Sequence, residues 1–183
     1  MAPADPPVVV RRATRAEAAR LAEFAARTFV DTFGSQNDPD HLASHVARHY
    51  HTDVQAAELA NPHWVTLVID GDDGYVGYAQ LRTGDAPECA GSDAPVELVR
   101  FYVDRPWHGR GVARPFMDAV YRTAADMGGH TIWLGVWERN PRAIAFYEKI
   151  GYRTVGTKPY VVGADHQTDF VMMRALPHRA AGD

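Results

Sequence analysis

The sequence predicts an α/β layered sandwich whose central mixed sheet of about six to seven strands is flanked by helices. Apolar residues recur with a helical period up to about residue 60 and then fall into β-branched-rich runs. The later runs alternate with helical segments that glycine closes. The 183 residues contain no internal repeat, low-complexity stretch or linker, so we expect a single domain over 1–183 with flexible ends at 1–7 and 177–183.

Composition and charge exclude several classes of protein. Lys and Arg number 19 and Asp and Glu 23, which gives a formal net charge of −4 and no basic field for a nucleic-acid partner. No segment approaches the roughly 18 continuous apolar residues of a membrane span, and the start of the chain lacks a signal-peptide core. Cys89 is the only cysteine, which excludes an internal disulfide and fits a cytoplasmic protein.

The first segments are a short strand and a long helix. Val8–Val10 is a β-branched run and predicts the strand. Thr14 and Glu17 have the spacing of a capping box, which marks the start of a helix. Apolar residues of helical period then continue to Phe33, and Gly34 ends the helix.

Two shorter helices follow. Asp38-Pro39 predicts the start of the second helix. The third helix is expected to begin at Thr52, with Gln55 in the capping-box position, and to end before Asn61.

Three histidines on the second helix, His41, His45 and His49, recur every four residues, a spacing that could bring two imidazoles to one metal ion. They lack the His-Glu-x-x-His pattern and flank the apolar stripe of the helix. We therefore interpret them as a solvated boundary face and expect no metal.

Strands dominate from residue 64 onwards. Trp64–Ile69 and Tyr75–Leu81 are β-branched-rich runs on either side of Gly71-Asp-Asp-Gly74, which predicts an antiparallel hairpin. Residues 83–95 are rich in Gly, Pro, Ala and acids and predict a surface loop. The remaining elements are expected in this order: strand 96–103, a glycine turn, helix 112–127, strand 131–137, helix 141–150, strand 152–156, a loop at 162–168 and strand 169–174.

The glycine turn predicts an anion site. It leads from a strand into a helix N-terminus, where the first N–H groups lack intrahelical partners and the helix dipole is positive. Gly109 and Gly111 allow the backbone to approach a ligand, and Arg110 and Arg114 add positive charge. A phosphate or pyrophosphate is the ligand that this pattern favours, and a glycine-rich connector with two solvated arginines is the alternative.

A second motif lies on the last predicted helix. Asn140 is a favoured N-cap and Pro141 a favoured first residue, which together fix the helix phase. At 100° per residue, Asn140, Ala143 and Tyr147 then share one face. The alternative is that Tyr147 is an ordinary core tyrosine.

Together the two motifs resemble the GNAT superfamily of acyl-CoA-dependent N-acetyltransferases, over roughly residues 8–176. They are His-Gly-Arg-Gly-Val-Ala opening one helix and Asn-x-x-Ala-x-x-x-Tyr-x-x-x-Gly-Tyr on the other, in the family's order. The turn departs from the family at His108, where Gln or Arg is usual. The resemblance implies a GNAT-like layered sandwich, acetyl-CoA as co-substrate, and a homodimer as the family's common assembly.

The resemblance also implies direct transfer of an acetyl group to an amine, with the pantetheine along the strand that ends at Val103 and the pyrophosphate in the turn. A tyrosine stays protonated at neutral pH, so Tyr147 is the expected donor to the departing thiolate. The residues implied to contact the co-substrate are Phe101, Val103, His108, Gly109, Arg110, Gly111, Val112, Ala113, Arg114, Asn140, Ala143 and Tyr147.

The acceptor amine requires a base, since an alkylamine of pKa about 10.4 is almost entirely protonated at pH 7. Glu97, on the strand before the turn, and Glu138, at the end of the next strand, are the carboxylates that the predicted order places near the reaction. Both are candidate bases, and solvated strand-end carboxylates are the alternative.

The acceptor itself is suggested by a finer resemblance. Trp133-Leu-Gly-Val-Trp-Glu-Arg-Asn and Gly163-Ala-Asp-His-Gln-Thr-Asp169 are similar to the bacterial spermidine/spermine N-acetyltransferase branch. This implies a polyamine acceptor, with Asp31, Asp165 and Asp169 as the acids that contribute to its binding. Another small amine, an aminoglycoside or a protein amine is the alternative acceptor, and a non-catalytic CoA-binding regulatory module is the alternative class.

Overall fold

The computed structural model describes residues 9–91 and 94–177. The expected flexible ends lie outside the described residues, apart from Pro177. The strands are β1 (Val10–Arg12), β2 (Trp64–Gly71), β3 (Gly74–Thr83), β4 (Pro95–Val103), β5 (Thr131–Trp137), β6 (Arg153–Val162) and β7 (Asp165–Ala175). The α-helices are α1 (Ala18–Phe33), α2 (Pro39–His49), α3 (Thr52–Ala60), α4 (Ala113–Asp126) and α5 (Pro141–Lys149).

The seven strands of the described chain form one sheet in the order β1-β2-β3-β4-β5-β7-β6. Neighbouring strands are antiparallel except β4 and β5, which are parallel. This parallel pair requires a crossover connection, and α4 supplies it. The predicted α/β class and mixed sheet are therefore confirmed.

Helices cover both faces of the sheet. On one face, α4 and α5 pack over a core that includes the fully buried Phe116, Ile132 and Leu134. On the other face, α1–α3 cover the end of the sheet nearer β1, where Leu21 and Tyr78 are fully buried. No helix among the described residues is long and apolar enough to cross a membrane.

β4 and β5 separate soon after they pair. The hydrogen-bonded register runs only from Pro95↔Thr131 to Glu97↔Trp133, although both strands continue well beyond these residues. The pairing with β3 shifts at the same place, because Leu98 faces Leu81 and Arg100 faces Gln80, which leaves Val99 as the extra residue of a bulge. The divergence of β4 and β5 opens a gap in the middle of the sheet.

Several local expectations are wrong in detail. The first strand is Val10–Arg12 rather than Val8–Val10, of which Val8 lies outside the described residues. Gln55 does not cap α3: its side chain is buried and donates to the carbonyl of His49. The loop expected at 162–168 is mostly strand, because β6 and β7 form a long hairpin that turns at Gly163-Ala164.

The interpretation of the histidines as a solvated face is also wrong for His45, and His49 is half-buried in the lining of the cavity described below. Only 5% of His45 is exposed, and its ring stacks on Phe29 with centroids 4.9 Å apart. The ring of His45 lines the same cavity. No group of three or more His, Cys, Asp or Glu residues that could hold a metal ion occurs in the part of the chain that the structure describes.

Candidate active site

A cavity of about 560 Å³ occupies the gap between β4 and β5. Residues of both strands line it from Leu98 to Val103 and from Leu134 to Trp137. Helix α5 lines it on one face of the sheet, while α2 and β6 line it on the other. The cavity therefore gives two ligands access to the same gap from opposite faces.

The glycine turn lies between two residues of this lining, His108 and Ala113. Gly109 and Gly111 both have φ +77°, a conformation that side chains disfavour, and a β-carbon added to either would meet nothing within 4 Å. Val112 is buried and anchors the start of α4, whereas Arg110 and Arg114 are exposed. The turn thus presents open backbone and positive charge, which fits a pyrophosphate group.

His108 holds this turn against the end of β4. Its Nε2 atom lies 2.8 Å from the carbonyl oxygen of Val103. Because the carbonyl can only accept, Nε2 carries the proton and donates it. The residue that departs from the family pattern thus forms a hydrogen bond between the turn and the strand.

The face predicted on α5 lines one side of the cavity, which we call the cofactor side because the resemblance implies the co-substrate there. Asn140, Ala143 and Tyr147 all line it, together with Phe101 on β4. Asn140 caps the helix, since its Oδ1 atom accepts from the backbone N–H of Ala143 at 3.2 Å. Tyr147 is only 8% exposed, and burial raises the pKa of its phenol above the usual 10, so the hydroxyl keeps its proton.

Polar side chains line the opposite part of the cavity, which we call the acceptor side and which includes Arg100, His45, Lys158, Tyr160 and Asp169. The hydroxyl of Tyr160 lies 3.3 Å from Nε2 of His45. Arg100 is bound by Glu58 at 2.6 Å and also donates to Gln80. Burial, followed by the charges of His49 and Arg100, lowers the pKa of His45 to about 4, so its ring is neutral at pH 7.

Asp169 is the buried carboxylate on this side, with 6% exposure. Burial raises its pKa to about 6, against the opposing effect of the Lys158 charge. Both side chains lie over Gly135 on β5, because a β-carbon there would be 2.8 Å from Oδ2 of Asp169 and 2.5 Å from Cε of Lys158. A side chain at position 135 would therefore displace at least one of these two groups.

The other predicted carboxylates lie elsewhere. Glu97 borders the cavity, but its carboxylate forms an ion pair with Arg82 on β3. Glu138 is exposed and is absent from the lining. Asp31 is exposed near Arg27, at 3.6 Å, and lines an adjoining cavity of about 320 Å³ that shares Val103, His108 and Asn140 with the first.

Asp165 is also outside the acceptor side. It is exposed at the hairpin turn and accepts a hydrogen bond from Gln167 at 2.9 Å. Of the three acids expected to bind the acceptor, only Asp169 lines the main cavity.

Sequence reasoning missed Arg100, His45, Lys158 and Tyr160. These residues come from α2, β4 and β6, and no short motif links them. One signal was present, since Gly135 interrupts the apolar strand Trp133–Trp137. A glycine inside a strand often marks the close approach of another group.

An open glycine turn at a helix N-terminus and a buried tyrosine lie beside a gap between parallel strands, as the resemblance to acyl-CoA-dependent N-acetyltransferases implies. The family model described as "Acetyltransferase (GNAT) family" matches residues 20–152. The chain therefore belongs to the GNAT family and is an N-acetyltransferase that uses acetyl-CoA as co-substrate.

Individual relatives agree with this assignment. The chain is 39% identical over 160 residues to an uncharacterized N-acetyltransferase of Mycobacterium tuberculosis, covering 87% of this chain and 98% of the relative. It is 27% identical over 93 residues to a protein named as a probable spermine N(1)-acetyltransferase of Bacillus subtilis subsp. natto, covering 50% and 60%. The fold is similar to that of the PaiA N-acetyltransferase from Thermoplasma acidophilum in complex with coenzyme A, with a TM-score of 0.73, 16% identity and coverage of 93% and 99%.

The burial of Asp169 predicts that Asp169→Asn stabilises the protein above pH 6. The folded pKa of about 6 exceeds the ordinary value of 3.8, so the folded state binds more protons and stability falls as pH rises through this window. The shift in the pKa of Asp169 corresponds to about 3 kcal/mol of folding free energy, and solvent in the open cavity makes the actual effect smaller. Thermal unfolding should show a higher Tm for the variant at pH 8 and little difference at pH 4, and an equal effect at both pH values would contradict this account.

Proposed function

We propose that this N-acetyltransferase acetylates a primary amine, with a polyamine such as spermidine or spermine as the first candidate acceptor. The observation that carries the amine is Asp169, a buried carboxylate on the acceptor side of the gap. A cationic ammonium group would offset the cost of burying this charge. The relative named as a probable spermine N(1)-acetyltransferase supports the polyamine.

The co-substrate would bind on the opposite side. Acetyl-CoA supplies an activated acetyl thioester, and the residues of this chain bind and orient it. Beyond Glu97, β4 has no hydrogen-bonded partner in β5 among the described residues, so its backbone is available to the pantetheine amides. The N–H groups of the turn, with Arg110 and Arg114, would bind the pyrophosphate.

Two residues of α5 would act near the thioester. Tyr147 would donate its proton to the departing sulfur, because its raised pKa keeps the hydroxyl protonated. Asn140 uses Oδ1 to cap the helix, which leaves its NH₂ group for a pantetheine carbonyl.

A second candidate acceptor is a monoamine that also carries a carboxylate. The acceptor side contains two cationic side chains, Lys158 and Arg100, of which Glu58 binds the second, beside the buried carboxylate of Asp169. A polyamine has about three positive charges, so both cations would repel it. A carboxylate on the acceptor would instead be attracted to them. An amino acid or a peptide is the chemical class that has both groups.

Transfer and acceptor are tested together by a CoA-release assay with acetyl-CoA and a panel of spermidine, spermine, amino acids, aminoglycosides and peptides. We expect CoA release that depends on the amine. The product should be about 42 Da heavier than the acceptor, because an acetyl group replaces one hydrogen. Binding of CoA without release for any acceptor would instead indicate the non-catalytic CoA-binding module.

The dependence of the acceptor KM on salt concentration distinguishes the two acceptor classes. If a polyamine is the substrate, its KM should rise clearly when ionic strength increases, because its charges are screened over about 8–10 Å. A zwitterionic acceptor should show a weaker dependence, since its two charges oppose each other. The KM of acetyl-CoA, measured in parallel, corrects for the effect of salt on the phosphate turn. Spermidine performing no better than free amino acids at low salt would contradict the polyamine proposal and leave acetyl transfer intact.

A further inference from the structure

We infer that Asp169 is the general base of the reaction and that Lys158 adjusts its affinity for the proton. This inference rests on the proposed transfer to an amine. It adds a catalytic role to the binding role expected of Asp169 from the sequence, and it moves the base from Glu97 and Glu138 to β7.

The first argument is the position of the carboxylate. The last pair between β4 and β5 is Glu97↔Trp133, and Gly135 lies two residues further along β5, where the strands have separated. Oδ2 of Asp169 lies directly over Gly135. The carboxylate is therefore at the level of the gap, on the face opposite to Tyr147, which lies on α5.

The second argument is that the other two candidate carboxylates are either bound by another residue or outside the cavity. Glu97 lies at the end of the paired region and is engaged by Arg82. That ion pair binds the Glu97 carboxylate to β3. Glu138 is exposed outside the lining. Asp169 is the carboxylate whose burial favours taking up a proton.

The groups that face Asp169 act in opposite directions. Lys158 lies opposite Asp169 in the β6–β7 register and favours the charged carboxylate. From β6, Tyr160 also faces it, and its neutral hydroxyl is beside the neutral ring of His45 from α2. Arg100, Tyr102 and Glu97 from β4, with His49 and Tyr50 from the end of α2, are the other charged and titratable residues of β4 and α2 that line the cavity.

The balance of these effects suits proton transfer near neutral pH. Burial is the strongest effect on Asp169 and raises the pKa of its carboxyl to about 6, while the charge of Lys158 limits this rise. The carboxylate is then mostly deprotonated at pH 7 and still basic enough to take a proton. An ordinary solvated aspartate, of pKa about 3.9, would be a poorer acceptor for an ammonium proton.

The reaction balances with these residues. An oxygen of Asp169 takes one proton from the acceptor ammonium, and the nitrogen lone pair then forms the C–N bond to the acetyl carbon. The C–S bond breaks, its electron pair goes to sulfur, and the Tyr147 hydroxyl protonates the thiolate. The second proton of the attacking nitrogen restores Tyr147, and Asp169 releases its proton to solvent. The net products are an amide, free CoA and one proton.

The test compares the pH dependence of kcat for the wild type, Asp169→Asn and Lys158→Met, with the best acceptor of the panel. The wild type should lose activity below an apparent pKa near 6. Asp169→Asn should lower kcat by about 100-fold or more and remove this acid limb, with the affinity for acetyl-CoA unchanged. Lys158→Met should move the acid limb to higher pH by about half to one unit, because the charge that favours the carboxylate is lost.

Matched controls are available on the surface. Asp118 on α4 and Lys149 at the end of α5 are exposed and lie outside the cavity lining. The chain has only two lysines, Lys149 and Lys158, so the pair of methionine variants covers both. Asp118→Asn and Lys149→Met should retain the wild-type profile.

The outcomes separate the inference from the proposed function. If the wild type releases CoA with no acceptor of the panel, the proposed function fails, and the inference fails with it. If transfer occurs but Asp169→Asn keeps the acid limb, or raises only the acceptor KM, the base assignment is overturned. Should Asp169→Asn fail to fold, Lys158→Met decides alone: a shifted limb supports the assignment, and an unshifted limb overturns it.

Discussion

Replacing Gly111 by glutamate is expected to abolish measurable binding of acetyl-CoA. Gly111 has φ +77° and open space around its Cα, on the turn that we assign to the pyrophosphate. The variant adds bulk and a negative charge where phosphate charge must lie, and it strains the backbone. Titration calorimetry should detect no binding, while circular dichroism should show the fold retained.

The control for this experiment is Gly128→Glu. Gly128 follows α4, has φ +84°, and also has nothing within 4 Å of an added β-carbon. The two variants therefore share the backbone penalty and the new charge, and only one of them lies at the turn. We expect similar losses in Tm and normal acetyl-CoA affinity for Gly128→Glu. Retained affinity in Gly111→Glu would remove the turn from the binding site.

Tyr147→Phe is expected to lower kcat by about 10- to 100-fold with little change in acetyl-CoA affinity. The variant keeps the ring that packs between α5 and the core but removes the hydroxyl that would protonate the thiolate. Steady-state kinetics, with an independent measurement of the acetyl-CoA Kd, separates these effects.

Tyr152→Phe provides the matched control. Tyr152 is another buried tyrosine, packed against Tyr147 with ring centroids 5.5 Å apart, but it does not line the cavity. Loss of its hydroxyl should leave kcat unchanged. If the two variants have the same kcat as the wild type, Tyr147 is a core residue, as the alternative interpretation of the sequence held.

The fold and the cofactor side could be predicted because their signals are local. A capping residue, a first-turn proline and a glycine turn each act within a few residues, and the face of α5 follows from Asn140 by helix geometry alone. The order of elements then restricts the sheet to few topologies. The positions of Gly109, Gly111, Asn140 and Tyr147 needed no knowledge of distant contacts.

The acceptor side could not be predicted in the same way, because it depends on strand register. Lys158 meets Asp169 only through the pairing of β6 with β7, and that hairpin is longer than the sequence indicated. Asp165 and Asp169 are four residues apart on β7, yet one is at the exposed turn and the other is buried beside β5. His45 is likewise indistinguishable from His41 and His49 in spacing, and only tertiary packing buries it.

The separation of β4 from β5 also bears on the protein when it carries no co-substrate. From Arg100 to Val103, β4 pairs with β3 on one side and has no hydrogen-bonded strand in β5 on the other, within the described chain. It is in effect a sheet edge inside the molecule, able to pair with any extended chain that enters. Under the proposed function, the two amides of the pantetheine arm would pair with that edge, so binding of the co-substrate would complete the hydrogen bonding of β4.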